Sequence, residues 1–414
     1  MKILNSANLA ALVNIMLKNA RGTTTTTDGA SAAGLIVAED LSNLVDAGKE
    51  LSGNINTSNL KNIVTGMLDG IGKILYENVK LESPSRFDLF IDENEYKTVI
   101  EKVRISGVEF EQSYVHATSG GSSFADMFNN HPLTFSVKVW NTCGDYRTKP
   151  YTISERQLAS AAMDPDELIR LIGEIYAVVE VTYYKALREA EKRVVFNQAG
   201  NCCLYRSGVT CIDVLKAYKD ETGETLTTQT YKKSDDFKRW FYGYFDELKR
   251  LMAEDSADYN CEENDINTLD DDRRAFLMTR FMTSLKTISK YQSGENFKDA
   301  LDGVYSVPYL QNRNERDKLS ILPVEPPVIT TGKHVTNVTI TGIIGMIWDR
   351  RGTFLTASKI ESGAVPNNFD KWTNYVHNFT VREMCDKGSN AILLVACDAT
   401  GTNKAYTITE ASDT

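Results

Sequence analysis

Glu262, Glu263, Asp265, Asp270, Asp271 and Asp272 crowd into one short stretch of the chain. Carboxylates gathered this way suit a hard divalent cation such as calcium. Their order is not that of an EF-hand loop, which needs a glycine at its sharp turn and a glutamate in its last position, so a solvated acidic loop is expected. Cys202 and Cys203 are adjacent in sequence. Neighbouring cysteines seldom meet disulfide geometry with each other, and small apolar packing is the expectation for both. Cys143, Cys211, Cys261, Cys385 and Cys397 are scattered, with no zinc-type spacing. His116, His131, His334 and His377 fall in or beside expected loops or strand ends, none at helical ligand spacing to another, so each is assigned a surface or hydrogen-bonding role. Gly120 and Gly121 could form a phosphate nest, but no helix start follows them, and a mobile loop tip is the better reading. No Gly-rich phosphate loop, Gly-x-Ser-x-Gly elbow or His-Glu-x-x-His pair occurs. The expectation is therefore no catalytic residues, no metal, no cofactor and no enzymatic activity.

The elements that would carry these residues are dominated by Asp164 to Gln198. Its pattern predicts one amphipathic helix of about 35 residues, roughly 50 Å long. Asp164 can cap it, Pro165 suits the first helical position, Glu167 completes a capping-box-like start, and Gly200 is the expected stop. Leu168, Leu171, Ile172, Ile175, Val178, Val179, Thr182, Tyr183, Ala186 and Ala190 form its apolar stripe. Glu174, Glu180, Lys185, Arg188, Glu189, Glu191, Lys192 and Arg193 are expected on its wet faces.

Upstream, residues 1 to 21 predict a short amphipathic helix with Leu9, Leu12, Val13, Met16 and Leu17 on one side. A threonine-rich, low-complexity arm follows over residues 22 to 34. A second helical stripe runs from Leu60 to Leu75 with no obvious partner. From Arg86 to Tyr151 the period becomes alternating: Val99, Val103 and Ile105, then Leu133, Phe135, Val137 and Val139, predict a two-stranded ribbon with these residues on its buried face and a tip between His116 and His131. Such a ribbon is marginal alone and must lie on a neighbour.

Downstream, Ser234 predicts a helix start with Phe237, Phe241, Phe245, Leu248 and Met252 inward. Ala275 to Met282 predicts a buried strand leading into a helix, and Pro323, Pro326 and Pro327 an extended crossing. Val335 to Ile347 reads as strand, closed by the turn Asp349-Arg350-Arg351-Gly352. Trp372 to Cys385 alternates, Ala391 to Cys397 predicts a strand buried on both faces, and the tail from Asp398 is expected to fray.

With 414 residues, 42% hydrophobic and 25% charged, the composition is that of a soluble protein able to bury a large core. The longest apolar run is too short to span a membrane, and no secretion signal is evident, so no membrane partner and no export are expected. An odd count of seven cysteines fits a reducing compartment. A net charge of −10 argues against gripping nucleic acid through a dominant basic face, yet suits a wall that surrounds DNA without holding it.

The order of parts, from threonine-rich arm through ribbon, long helix after Asp164-Pro165 and mixed region to late strands, resembles the major capsid proteins of tailed bacteriophages, with the Hong Kong 97-like fold. Ile343 to Arg351 resembles that family's apolar strand and Asp-Arg turn, and Asn374 to Arg382, with Asn378 and Arg382, its asparagine-to-arginine segment. The resemblance implies an α+β fold divided into an N-terminal arm (residues 1–85), an extended loop or β-ribbon (86–150), a peripheral domain with a long spine helix and late strands (151–200 and 336–414, partly shared with the axial domain) and an axial domain (201–335). It implies a structural protein of the virion, made in the host cytoplasm, that assembles into hexamers and pentamers of an icosahedral shell around double-stranded DNA. The implied partners are copies of itself, with portal and scaffolding proteins, and DNA enclosed but not read. Candidate inter-subunit contacts are Gly120, Gly121, Arg188, Glu191, Leu12 and Met16. No lysine stands near the Gly120 tip where the family's crosslinking pattern would want one. Two alternatives stay open: an encapsulin-like nanocompartment shell, and a divalent-cation-dependent soluble enzyme using the acidic loop around Asp271.

Overall fold

The computed structural model describes residue 14 and residues 100–106, 134–140, 143–154, 165–206, 208–254, 259–260, 269, 272–279, 281, 304–307, 310–322, 329, 331–358, 360–367 and 372–412. Apart from Asn14, the expected N-terminal helix lies outside these residues, as do the threonine arm, 60–75 stripe, Gly120 tip, proline crossing and all of the acidic loop but Asp272, and with them Gly120, Gly121, Leu12 and Met16.

Strands β1 (Ile100–Ser106) and β2 (Thr134–Trp140) pair antiparallel as the expected ribbon, with Ile100 opposite Trp140 and Ser106 opposite Thr134. Strands β3 (Cys143–Arg147) and β4 (Tyr151–Ser154) lead into helix α1, Pro165–Leu204. Its 40 residues exceed the expected span because the chain stays helical through Gly200. A glycine in a helix costs only about 1 kcal/mol, and the last two turns, buried from Val194 to Cys203, recover more than that. Asp164, the expected cap, lies outside the described residues.

The second region comprises β5 (Cys211–Asp213), α2 (Val214–Thr222), α3 (Asp235–Ala253), β6 (Arg274–Met278), β7 (Val304–Ser306) and β8 (Leu319–Ile321). The start of α3 is as expected: the Ser234 hydroxyl accepts the Phe237 N–H at 3.2 Å, and Asp235 and Asp236 occupy the first turn. Phe237, Phe241, Phe245, Leu248 and Met252 are all buried. Beyond β6, of the expected helix only Phe281 is described.

The late strands are β9 (Lys333–Ile340), β10 (Ile343–Asp349), β11 (Thr353–Ala357), β12 (Glu361–Asn367), β13 (Trp372–Cys385), β14 (Ala391–Val395) and β15 (Tyr406–Ser412). The tail does not fray, because β15 pairs antiparallel with β9 from Tyr406–Ile340 to Ser412–Lys333. The turn that delivers it there is built on Asp398, whose carboxylate accepts the N–H groups of Thr400 and Asn403 and is held near pKa 2 by them.

Among the described residues three sheets form beside the β1-β2 ribbon. The central one, β5-β14-β10-β6-β7, separates two cores. Ala275, Leu277, Met346, Trp348, Leu393 and Val395 face the core that includes α1, while Phe276, Met278, Ile344, Ile347, Ile392 and Leu394 face the core of α2 and α3. This is why β10 and β14 read as unbroken apolar runs. A register shift between Ile343 and Gly345 turns β10 so that Ile344 and Met346, two residues apart, point to opposite cores. In the second sheet β13 runs between broken strands, β3 then β4 along one edge and β11 then β12 along the other. The third sheet is β15-β9-β8. Helix α1 packs on β13, β14, β11 and β8, and so spans all three sheets. Gly342 between β9 and β10 has φ +72°, and a Cβ there would sit 2.3 Å from the Ala396 carbonyl, so only glycine fits.

Candidate inter-subunit surface

The ribbon has two unlike faces. Val103 lies directly opposite Val137 and Glu101 opposite Val139 on one face; Lys102 opposes Lys138 on the other, where Trp140 also lies. The sequence reading assigned the valine face to the interior. The structure reverses this: Trp140 is buried, whereas Val103, Val137 and Val139 are 59%, 56% and 47% exposed. One carboxylate holds the other face. Asp386 is fully buried, and both ribbon lysines reach it, Lys102 Nζ to Oδ2 and Lys138 Nζ to Oδ1 at 3.7 Å. Two lysines opposed across a ribbon repel, and the shared anion turns that repulsion into an attachment.

Asp386 is held by the turn between β13 and β14. Its carboxylate also accepts the Gly388 N–H at 3.1 Å and the Ser389 hydroxyl at 3.2 Å, and its own N–H donates to the Gly352 carbonyl at 2.8 Å. Gly352 closes the turn after β10, where a Cβ would meet Ser389 Cβ at 2.4 Å. That turn has the expected form: the buried Asp349 carboxylate accepts the Arg351 N–H at 2.9 Å, and desolvation raises its pKa against that hydrogen bond and the nearby arginines. Two turns far apart in sequence thus abut through a glycine to build the ribbon's anchor.

Helix α1 is fixed beside this anchor by a second ion pair. Arg193 Nε lies 2.9 Å from both Glu383 oxygens, its Nη2 also contacts Oε1, and its guanidinium sits over the Tyr146 ring at 5.9 Å. Glu383 is 3% exposed, and its hydrogen bond holds the Arg193 pKa above its ordinary value. Outward, α1 presents Val178 and Val181, 67% and 40% exposed, together with Thr182, Lys185, Arg188 and Glu189. Val178 and Thr182 therefore leave the inward stripe in which the sequence reading placed them. Two carboxylates move the other way. Glu191 is only 2% exposed and Glu180 8%, and burial raises the Glu180 pKa. Of the two charged contacts expected on this helix, Arg188 stands at the surface and Glu191 is a core residue, because the inward stripe rotates to meet β13 and β14.

Of the surface or hydrogen-bonding role expected for each histidine, His377 takes the hydrogen-bonding one. It lies within β13, 1% exposed, with Nε2 2.7 Å from the Tyr151 hydroxyl and Nδ1 3.0 Å from the Ser362 hydroxyl. Burial pushes its pKa down to about 4. The folded protein thus keeps the ring neutral where the unfolded chain, with a pKa near 6.5, takes up a proton. Its contribution is complete above about pH 6.5 and is lost as pH falls toward 4, an expected loss of about 3 kcal/mol. Urea unfolding between pH 7 and pH 4 checks this, with His377→Gln flattening that part of the profile. His334 is exposed on β9; His116 and His131 lie outside the described residues.

Lys102, Lys138 and Asp386 were missed by the sequence reading. The signal was present in part: a lysine pair facing across a ribbon demands an anion. Nothing local said which of 56 acidic residues would supply it.

The described residues thus define an α+β protein in which one long helix spans three sheets and a two-stranded ribbon, pinned by its charged face, turns its apolar face to solvent. No protein family and no curated protein matches the chain. Among solved structures it is similar to a chain in the capsid structure of Staphylococcus phage Andhra, at 11% identity over 73% of this chain and 81% of that one, with a TM-score of 0.43. It is similar at 12% identity, over 74% of this chain and 82% of the other and with a TM-score of 0.46, to a chain in the structure of the head fiber and inner core protein gp22 of native bacteriophage P68. A third is in the capsid of Myoviridae phage XM1, at 10% identity over 77% and 91% of the respective chains and a TM-score of 0.36.

Proposed function

We propose that this chain is a structural shell subunit of the tailed-phage major capsid type, which assembles through copies of itself into hexamers and pentamers of an icosahedral particle enclosing double-stranded DNA. The observation that carries the reading is the ribbon: its charged face is bound to the body through Asp386 and its valine face is left for a partner. An apolar strand pair held out in this way is costly for a monomer and natural for a subunit that interlocks with its neighbours. The outer face of α1, with Val178, Val181 and Arg188, offers a second contact, and the Hong Kong 97-like division into arm, loop, spine helix, peripheral and axial domains supplies the frame. Gly120 and Gly121 at the loop tip, and Leu12 and Met16 in the arm, are further contacts in this reading. Portal and scaffolding proteins are its expected partners, and the virion its expected location.

Sedimentation and negative-stain microscopy of the purified chain, alone and coexpressed with phage assembly factors, test this. Rings or closed shells are expected, with Arg188→Glu lowering their yield while leaving the fold intact. Compact monomers under every condition overturn the proposal. Nuclease-protected DNA inside the particles separates a genome shell from an encapsulin-like compartment, which would instead carry an enzyme.

A further inference from the structure

The paired cysteine motif acquires a partner that its sequence did not suggest. Cys203, in the last turn of α1, places its Sγ 3.6 Å from Sγ of Cys211 in β5, and both side chains are buried, 1% and 8% exposed. Neighbouring bonds fix the two backbones: the Thr210 hydroxyl donates to the Cys202 carbonyl at 2.8 Å, and the Leu393 N–H donates to the Thr210 carbonyl at 2.7 Å. A disulfide needs sulfur atoms at about 2.05 Å, so closure requires a movement of roughly 1.5 Å, within the reach of side-chain rotation.

Cys211 also lines a cleft of about 340 Å³ formed with Gly208, Asp213, Lys216, Lys404 and Tyr406. The cleft brings a small solute up to Cys211, whereas Cys203 is not part of its lining. We propose that Cys203 and Cys211 are a redox-responsive dithiol, oxidised to an intrachain disulfide by a low-molecular-weight disulfide that enters through this cleft. Cys211, as thiolate, attacks one sulfur of the small disulfide, breaking its S–S bond and forming a mixed disulfide while the first small thiol leaves with the proton that Cys211 lost. Cys203 then attacks the Cys211 sulfur, forming the protein disulfide, and the second small thiol leaves with the Cys203 proton. Two protein thiols are oxidised and one small disulfide is reduced to two thiols.

Cys397, beyond the end of the neighbouring strand β14, is the rival thiol. Burial and the carboxylates of Asp213 and Asp398 raise its pKa, which keeps it protonated and slow to attack. The bond would staple the end of α1 to the central sheet at the junction of the two cores, a restraint imposed when the protein leaves a reducing compartment for an oxidising one.

The test uses the full chain incubated with oxidised glutathione, alkylated and digested with trypsin without reduction. Cleavage at Arg206 separates the two cysteines, so the expected product is peptide 194–206 linked to peptide 207–216, with Cys202 alkylated, at about 2 Da below the summed masses of the two peptides carrying that one alkyl group, and released by dithiothreitol. Fragmentation between Cys202 and Cys203 must place the link on Cys203, and Cys397→Ala must retain it. Independent alkylation of Cys203 and Cys211, a stable glutathione adduct without the link, or a link through Cys202, Cys397 or a second chain each overturns the proposal. The wild-type map decides the matter even where a cysteine variant fails to fold.

Discussion

Replacing Asp386 with alanine is expected to release the ribbon from the body and to lower the stability of the folded chain by about 3 kcal/mol. The carboxylate is fully buried and serves Lys102, Lys138, the Gly388 N–H and the Ser389 hydroxyl. The lysines are 33% and 28% exposed, so on losing this ion pair they can turn toward water, and they carry the ribbon with them. The donors of the turn cannot follow. Each buried donor left without its acceptor costs about 1–3 kcal/mol, which is the larger share of the expected loss. Urea unfolding measures that loss, and limited proteolysis at Lys102, Arg104 and Lys138 reports the detachment. Asp386→Asn keeps an acceptor without the charge and should fall between wild type and alanine. A change under about 0.5 kcal/mol with unaltered proteolysis would show that Asp386 does not hold the ribbon.

The second large effect is expected on assembly. Val137→Asp places a carboxylate in the middle of the exposed ribbon face, where Val137 is 56% exposed and directly opposite Val103. In the isolated subunit the new charge is hydrated and the cost stays within about 0.5 kcal/mol. Against a packed neighbour the same charge is buried without a partner, a penalty of several kcal/mol at every copy of the contact. Each 1.4 kcal/mol is about tenfold in association, so under the proposed assembly shell yield is expected to collapse while the circular dichroism and urea midpoint of the subunit stay near wild type. Val103→Asp should behave alike; the two are tested singly, since opposed aspartates would repel and weaken the ribbon itself. Shells at wild-type yield from both variants would remove the valine face from the list of contacts.

Local patterning made much of this fold legible. The Ser234 cap and the phenylalanine spacing of α3, the Asp349 turn, the alternation of β13 and the unbroken run of β14 are each set by neighbours within a few residues, where propensity, capping and period agree. The long helix was legible for the same reason, except at its end, where burial of Val194 to Cys203 carried it through a glycine. The fate of the tail was not, because β15 consists of half-exposed residues whose order comes from backbone pairing with β9, more than sixty residues upstream. His377 shows the same limit: the sequence put it in or beside a loop or strand end, but it lies within β13 and its burial follows from β4 and β12 closing around it.

The candidate surface divides in the same way. The sequence alone determined that the alternating stretches 99–105 and 133–139 form a ribbon with one apolar face, since alternation is a property of the strand itself. Which face turns inward was decided by the tertiary structure, where Lys102 and Lys138 meet a buried carboxylate nearly 250 residues beyond Lys138 while the three valines stay exposed. Rotation of α1 was settled likewise, taking Glu191 into the core and leaving Val178 and Arg188 outside. A periodic pattern defines the faces of an element, and only the partners that pack against it choose among them.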